Sequence, residues 1–236
     1  MKNLFPLLIT SLFCILFKLN AQNLVSNPSF EIANRKPEKR GNGIARAKDW
    51  IAPIVNSDYY FKGADRQVGT PKNRFGKQRP HSGNAYAGIC MRRKYLEYLE
   101  TKLTVPLLKD KEYLIEFYIS RADKSLSSIK EFGVLFSSIN IWGLTSRGIS
   151  EKPQVIFSSN KGYKSKKEWI KLSAVYKAEG NEAFLILGHF NYNPTDNKPK
   201  IRCHYYIDDV TITPIEKKSD STSTVILKEL SFDRAL

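Results

Sequence analysis

Apolar and polar residues alternate along much of this chain with a period of two, the spacing of a half-buried strand. Over residues 112–120, Tyr113, Ile115, Phe117 and Ile119 fall on one face, with Glu116 and Ser120 on the other. Over residues 168–177, Ile170, Leu172, Ala174 and Tyr176 oppose Lys171, Ser173 and Lys177. Residues 183–190 are apolar on both faces and read as a central strand. Shorter runs predict strands at 84–90, 99–105, 131–137, 154–157 and 205–212. In the last of these, placing Tyr206, Val210 and Ile212 toward the core puts Asp208 on the same face. Turn residues separate the runs, as in Lys109-Asp110-Lys111 and Glu179-Gly180-Asn181. Many short strands with turns between them predict an all-β fold, an antiparallel β-sandwich of two packed sheets. The pattern allows helix only for a turn or two around residues 126–130. Residues 34–48 and 56–80, rich in Gly, Pro and basic or aromatic residues, read as long loops.

The first residues change the picture. Lys2 precedes an apolar run from Leu4 to Leu19, and Ala21 is a small residue before Gln22. This predicts a secretory signal peptide over 1–21, and so an exported protein of the periplasm, the outer membrane or the medium. The run is short for a membrane span, and nothing after it resembles one. Removing 1–21 leaves 36 basic and 23 acidic side chains, a formal charge of +13. It also leaves two cysteines, Cys90 and Cys203. An oxidising compartment permits a disulfide between them; two buried free thiols fit the pattern equally well.

The basic residues are dispersed, with denser patches at 35–40, 92–94 and 161–167. Dispersal and export together argue against a nucleic-acid partner. The patches serve solubility, or attract anionic envelope polymers and acidic glycans. Near residue 216 the chain turns polar and low in complexity (EKKSDSTST, residues 216–224), as a linker does, before an apolar ending at 225–236.

Three segments then stand out in order: NLVSNPSFE at 23–31, HSGNAYAGI at 81–89 and YYIDDVTI at 205–212. Together they resemble the CenC-type carbohydrate-binding modules of the galactose-binding-like jelly-roll superfamily, over residues 23–214. SDYYFKG, VGTPKNRFG and HSGNAYAGI are similar to a subgroup in bacterial envelope proteins that precedes an OmpA-like domain. The ending VILKELSFDRAL resembles the first strand of such a domain. The resemblance implies a non-catalytic β-sandwich module over 22–215. It also implies a structural calcium ion (Ca2+) near the meeting of the first and last strands, with Glu31 and Asp208 or Asp209 as carboxylate ligands. The basic loop 35–40 is a departure that opposes a cation there.

A glycan is held by aromatic rings under its apolar faces and polar groups at its hydroxyls. Aromatics expected in loops are Tyr59, Tyr60, Trp142, Tyr163 and Tyr192, with Arg74 as a hydrogen-bond donor. Trp50 and Trp169 adjoin strand patterns and read as core. No G-x-S-x-G motif occurs, and adjacent Cys203 and His204 are not a metal pattern. His81, His189 and His204 lack a nucleophile on a tight turn, and Glu97, Glu100, Asp123 and Asp196 pair only on paper as glycosidase acids. Three functions follow as expectations: a glycan-binding module, a structural module contacting other cell-envelope components, and a calcium-dependent adhesion module.

Overall fold

The apolar faces read from the alternation close on one another as two sheets. In this computed structural model, residues 22–38, 43–54, 57–92, 95–141, 148–190 and 202–216 are described. One sheet runs in the order β1 (Trp50–Ile51), β8 (Tyr98–Lys102), β13 (Phe184–Gly188), β10 (Glu131–Ser137) and β11 (Val155–Ser158). The other runs β12 (Ile170–Lys177), β9 (Glu112–Arg121), β14 (Arg202–Pro214), β6 (Ala85–Arg92), β2 (Asp58–Lys62) and β3 (Gly69–Thr70). The short β7 (Tyr95–Leu96) pairs with β6, and β4 (Lys72–Asn73) with β5 (Gly76–Lys77) makes a separate small hairpin. Every strand pair is antiparallel except β2 with β3. The fold is an all-β sandwich of the jelly-roll kind, and no described helix is long and apolar enough to cross a membrane.

Between the sheets lies one core. Ile115, Phe117 and Ile119 of β9 meet Phe132 and Val134 of β10 and Leu185 and Leu187 of β13, all fully buried. Two facing sheets of β-branched and aromatic residues exclude water from both inner surfaces, which is what drives them together. The first and last described segments lie side by side. Leu24 N donates to Ile212 O at 2.8 Å, Val210 N to Pro28 O at 2.9 Å, and Ile212 N to Asn23 Oδ1 at 2.9 Å.

Four expectations are corrected. Residues 126–130 form no helix. Their donors bond outward instead, Leu126 N to Arg202 O at 2.9 Å and Ile129 N to the Tyr205 hydroxyl at 3.1 Å. Among the described residues the one helical piece is a 3-10 turn, Ile44–Arg46, inside the stretch expected to be extended. Residues 56–80 are not one loop, because β2, β3, β4 and β5 lie within them. Tyr206 does not face the inter-sheet core. The register of β14 against β9 shifts between Asp208 and Thr211, and Asp209 takes a left-handed φ of 50°. That bulge reverses the alternation. Tyr205 and Ile207 face the core before it, Val210 and Ile212 after it, and Tyr206 and Asp208 face outward.

Cys90 and Cys203 are both buried free thiols. The β14–β6 register places Cys90 opposite His204 and Cys203 opposite Met91. Directly opposed residues share a face, so the two thiols lie on opposite faces of the sheet and do not form a pair. Burial pushes the Cys90 thiol up to about 11 and the Cys203 thiol up to about 12.

Candidate functional site

The outer face of the larger sheet carries the unusual chemistry. Strand register puts Asp58, Gly88, Tyr206 and Ser120 in one row across β2, β6, β14 and β9. Tyr60 opposes Tyr86, and Cys90 opposes His204, on that same face. Such a face is ordinarily solvated in an antiparallel sandwich. Here Tyr60, Tyr86 and Tyr206 are fully buried, with ring centroids 4.8–5.6 Å apart.

A strap, residues 63–80, provides the cover. Val68 of the strap is buried against the three tyrosines, with Ala64, Phe75 and Trp169 packed beside them. The strap also satisfies their hydroxyls. Asn73 Nδ2 donates to the Tyr86 hydroxyl at 2.9 Å, the Tyr206 hydroxyl donates to Asn73 Oδ1 at 2.9 Å, and the Tyr86 hydroxyl donates to Gln78 O at 3.1 Å. Gly88 makes room beneath, since a Cβ there would stand 2.5 Å from His204 Nε2 and 2.7 Å from a Tyr60 ring carbon.

One ion pair pins the strap to the sheet. Arg74 reaches the buried Asp58 at 2.5 Å and lies over the Phe75 ring at 4.9 Å. Burial raises the Asp58 carboxyl, and Arg74 and the Tyr60 hydroxyl work against that rise. Glu97 is buried nearby, accepting from Cys90 N at 2.6 Å and the Tyr95 hydroxyl at 2.8 Å. Burial, then the charge of Asp58, holds it well above the usual carboxylate range.

At one end of the strap a pocket of about 220 Å³ opens between Arg74, Phe75, Arg92, Lys124, Arg202 and His204, with Cys90, Ser125 and Cys203 completing its lining. The imidazole of His204 stacks on Phe75, centroids 3.9 Å apart and planes 11° from parallel. Tyr60 gives its O–H to Asp58 Oδ2 at 2.9 Å. His204 Nε2, 3.1 Å from the Tyr60 oxygen, is therefore the donor of that pair, which leaves Nδ1 a bare acceptor. Nδ1 is buried and meets no partner among the described residues. Burial, with Arg74 and Arg92 adding repulsion, holds the ring neutral. Two other openings lie elsewhere: a groove of about 1070 Å³ beside Leu24, Val105, Leu108 and Ile215, and a cleft of about 340 Å³ beside Gly133, Pro153 and Phe190.

Of the four expected ligand residues that are described, Arg74 alone lines the pocket. Tyr59 and Tyr60 lie not in a loop but on β2, fully buried, so neither presents a ring to solvent. Tyr59 points into the inter-sheet core, its hydroxyl donating to Phe30 O at 2.7 Å. Tyr163 is buried too, its carbonyl accepting from the Tyr205 hydroxyl at 2.5 Å. Trp142 and Tyr192 lie outside the described residues, as does Asp196. Trp50 is core as expected; Trp169 is half-buried and donates to Arg79 O at 3.0 Å. Sequence reading missed Phe75, Lys124, Arg202 and His204 as one group. Only the strand register and the fold-back of the strap bring them together.

The three segments that carried the resemblance do converge, on the turn at residues 81–85. Glu31 Oε1 accepts from Asn84 N at 2.7 Å and Ala85 N at 2.8 Å. Asp208 Oδ2 accepts from His81 N at 2.8 Å, and its Oδ1 from Asp209 N at 2.8 Å. Asp209 takes the hydroxyls of Ser29 and Ser82 at 2.5 and 2.6 Å and also bonds the His81 ring. Burial and the neighbouring Asp209 charge push Asp208 up to about 8, against those backbone donors. Burial also acts to raise Asp209, but the bonds from His81, Ser29 and Ser82 outweigh it and hold its carboxyl low. Gly83 adopts a left-handed φ of 57°, and a Cβ there would collide with the Glu31 carboxylate. Calcium needs six to eight free oxygen donors. These carboxylates are instead spent on N–H and O–H groups, and among the described residues no group of three or more His, Cys, Asp or Glu is arranged to hold a metal. Glu31, Asp208 and Asp209 thus do not fit the expected calcium site; they organise a turn.

No family model matches the chain, and no curated protein does. Solved structures of similar outline include the CBM22-1 xylan-binding domain of Paenibacillus barcinonensis Xyn10C, at 16% identity and TM-score 0.44, covering 84% of this chain and 97% of that one. A structure described as "CBM4 structure and function" is 14% identical with TM-score 0.41, covering 81% and 99%. A cyclase from Fischerella sp., in its apo form, is 14% identical with TM-score 0.46, covering 82% and 95%.

Proposed function

We propose that this chain is a non-catalytic glycan-binding module, exported to the cell envelope or beyond. The observation that carries the reading is the pocket at the end of the strap. It offers one ring stack, Phe75 on His204, beside polar side chains and a bare acceptor. Convergent polar groups on an aromatic wall are what a sugar requires, and the volume suits a single sugar ring or the end of a chain.

Support for a non-catalytic role comes from the acids. Asp58 and Glu97, two carboxyls on the same sheet face as the pocket, are buried and already bonded to Arg74, Tyr60, Cys90 N and Tyr95. Among the described residues neither faces a second carboxyl across an open cleft, as glycoside hydrolysis needs. The leader-like residues 1–21 support export, and the ending at 225–236 supports an envelope protein of the OmpA-associated kind.

A second reading, an interaction module that contacts envelope proteins, is favoured by one feature. The groove of about 1070 Å³ exposes Val105 and Leu108 beside the exit of the chain at Ile215.

A glycan array probed with the full chain tests the first reading. We expect signal on a restricted set of glycans, lost in an Arg74→Ala/Phe75→Ala variant that keeps the parent's far-ultraviolet spectrum. Background signal on every glycan sinks it.

A further inference from the structure

The chemistry of the same pocket goes further than a sugar in general. Resting on the glycan reading, we infer that the pocket receives an acidic sugar residue, its carboxylate or sulfate held by Arg92, Arg202 and Lys124 and a neighbouring hydroxyl given to His204.

Three observations carry this. The first is charge without counter-charge. Arg74 is neutralised by Asp58, but none of Arg92, Lys124 and Arg202 has a carboxylate within ion-pair distance among the described residues. Lys124 spends one N–H on Arg74 O at 2.8 Å, so the fold steers its ammonium. Three cations around one small opening repel one another in the absence of an anion. An oxyanion relieves that repulsion and takes charge-assisted hydrogen bonds.

The second is the buried lone pair. A polar atom removed from water without a partner is costly. His204 is 2% exposed, and its Nδ1 has lost water and gained no partner among the described residues. Because Nε2 carries the ring proton, Nδ1 asks for a donor, and an oxyanion has none to give. The ligand therefore presents an anionic group and an O–H together, within the span of one small pocket. A hydroxylated acid of the sugar kind has both; a sulfate ion or an apolar carboxylate lacks the second.

The third is the wall. Phe75 is held by the Arg74 guanidinium over its ring and by its stack on His204, so it is in place before a ligand arrives. A preorganised wall spares binding the cost of ordering it.

The test compares four probes on the full chain by isothermal titration at low and moderate salt: an oligogalacturonate, a sulfated oligosaccharide of similar length, neutral dextran oligomers, and double-stranded DNA. We expect one of the two acidic oligosaccharides to bind at least about tenfold tighter than dextran. In the Arg92→Gln/Arg202→Gln variant that affinity should fall by about tenfold or more, the loss of one charge-assisted hydrogen bond or more. A Lys171→Gln/Lys177→Gln variant removes the same charge at a distant strand and should leave it unchanged. Carboxylate against sulfate preference then names the acid. Dextran binding as tight as either acid, and unmoved by the arginine variant, overturns the acidic-sugar inference and keeps the glycan reading. Failure of all three oligosaccharides overturns the acidic-sugar inference, and the glycan array alone then decides the glycan reading. DNA binding as tight as the acidic sugars, weakened equally by both variants, also overturns the inference, since net charge alone would then account for the affinity.

Discussion

Replacing Glu100 with Gln should stabilise this protein in a pH-dependent way. Glu100 sits on β8 with no exposed surface. One oxygen accepts from Ile141 N at 3.2 Å and the other, Oε2, has no partner among the described residues. Burial pushes its carboxyl up to about 7 from an ordinary 4.5, the Ile141 bond opposing the rise. In the unfolded chain the group ionises near its ordinary value. Between the two values the folded protein holds a proton that the unfolded chain has released. Stability from this group is therefore complete below about pH 4.5 and is lost as pH rises through 7. Each pH unit of separation is worth about 1.36 kcal/mol, so the ionised carboxylate costs the fold about 3 kcal/mol in alkaline buffer. Glu100→Gln keeps the acceptor for Ile141 N and removes the titration. The measurement is urea unfolding of parent and variant at pH 5 and pH 8. The stability difference, variant minus parent, should grow by about 2 kcal/mol between the two. Asp58, Glu97 and Asp208 titrate in both proteins and cancel from that comparison. An equal difference at both pH values would refute the reasoning.

Three further outcomes follow from the strap and its sheet. Gly88→Ala drives a methyl against His204 and Tyr60, so it should cost about 1–3 kcal/mol in denaturant unfolding. Arg74→Met leaves Asp58 buried and unpaired; because Arg74 is itself more than a third exposed, we expect a loss of roughly 1–3 kcal/mol rather than the full cost of a broken interior pair. Adding Asp58→Asn should recover most of that loss, and a double-mutant cycle with no coupling would remove the pinning role given to this pair. Millimolar calcium and excess chelator should leave the melting temperature where it is, because the carboxylates at the 81–85 turn are committed to N–H and O–H donors; a rise with calcium would restore the metal site.

Much of the sandwich was legible because one buried face leaves a period of two. Residues 112–120, 131–137 and 170–177 lie in strands within a residue or two of the alternation, and the two end segments meet as the resemblance implied. The site was not legible, for two physical reasons. β2 is buried on both faces, by the core and by the strap, so Asp58-Tyr59-Tyr60 shows no alternation and looks like a loop. The bulge at Asp209 inverts the phase of β14, and a strict count from Val210 back to Tyr206 crosses it unseen. His204 and Arg202 precede that bulge, and their neighbours Phe75 and Lys124 come from far along the chain. Contacts of that range have no signature in local pattern.

The strap is a third layer laid on a sandwich already closed without it. Its own side-chain fastenings are Val68, Thr70, Asn73, Arg74, Phe75 and Gln78, beside the pairing of β3 with β2. Chains built on the same two sheets but with a shorter segment between β2 and β6 would leave Tyr60, Tyr86 and Tyr206 as an open aromatic floor. Change in the length of this one insert is thus enough to trade a small charged socket for a broad flat platform, with the inter-sheet packing untouched.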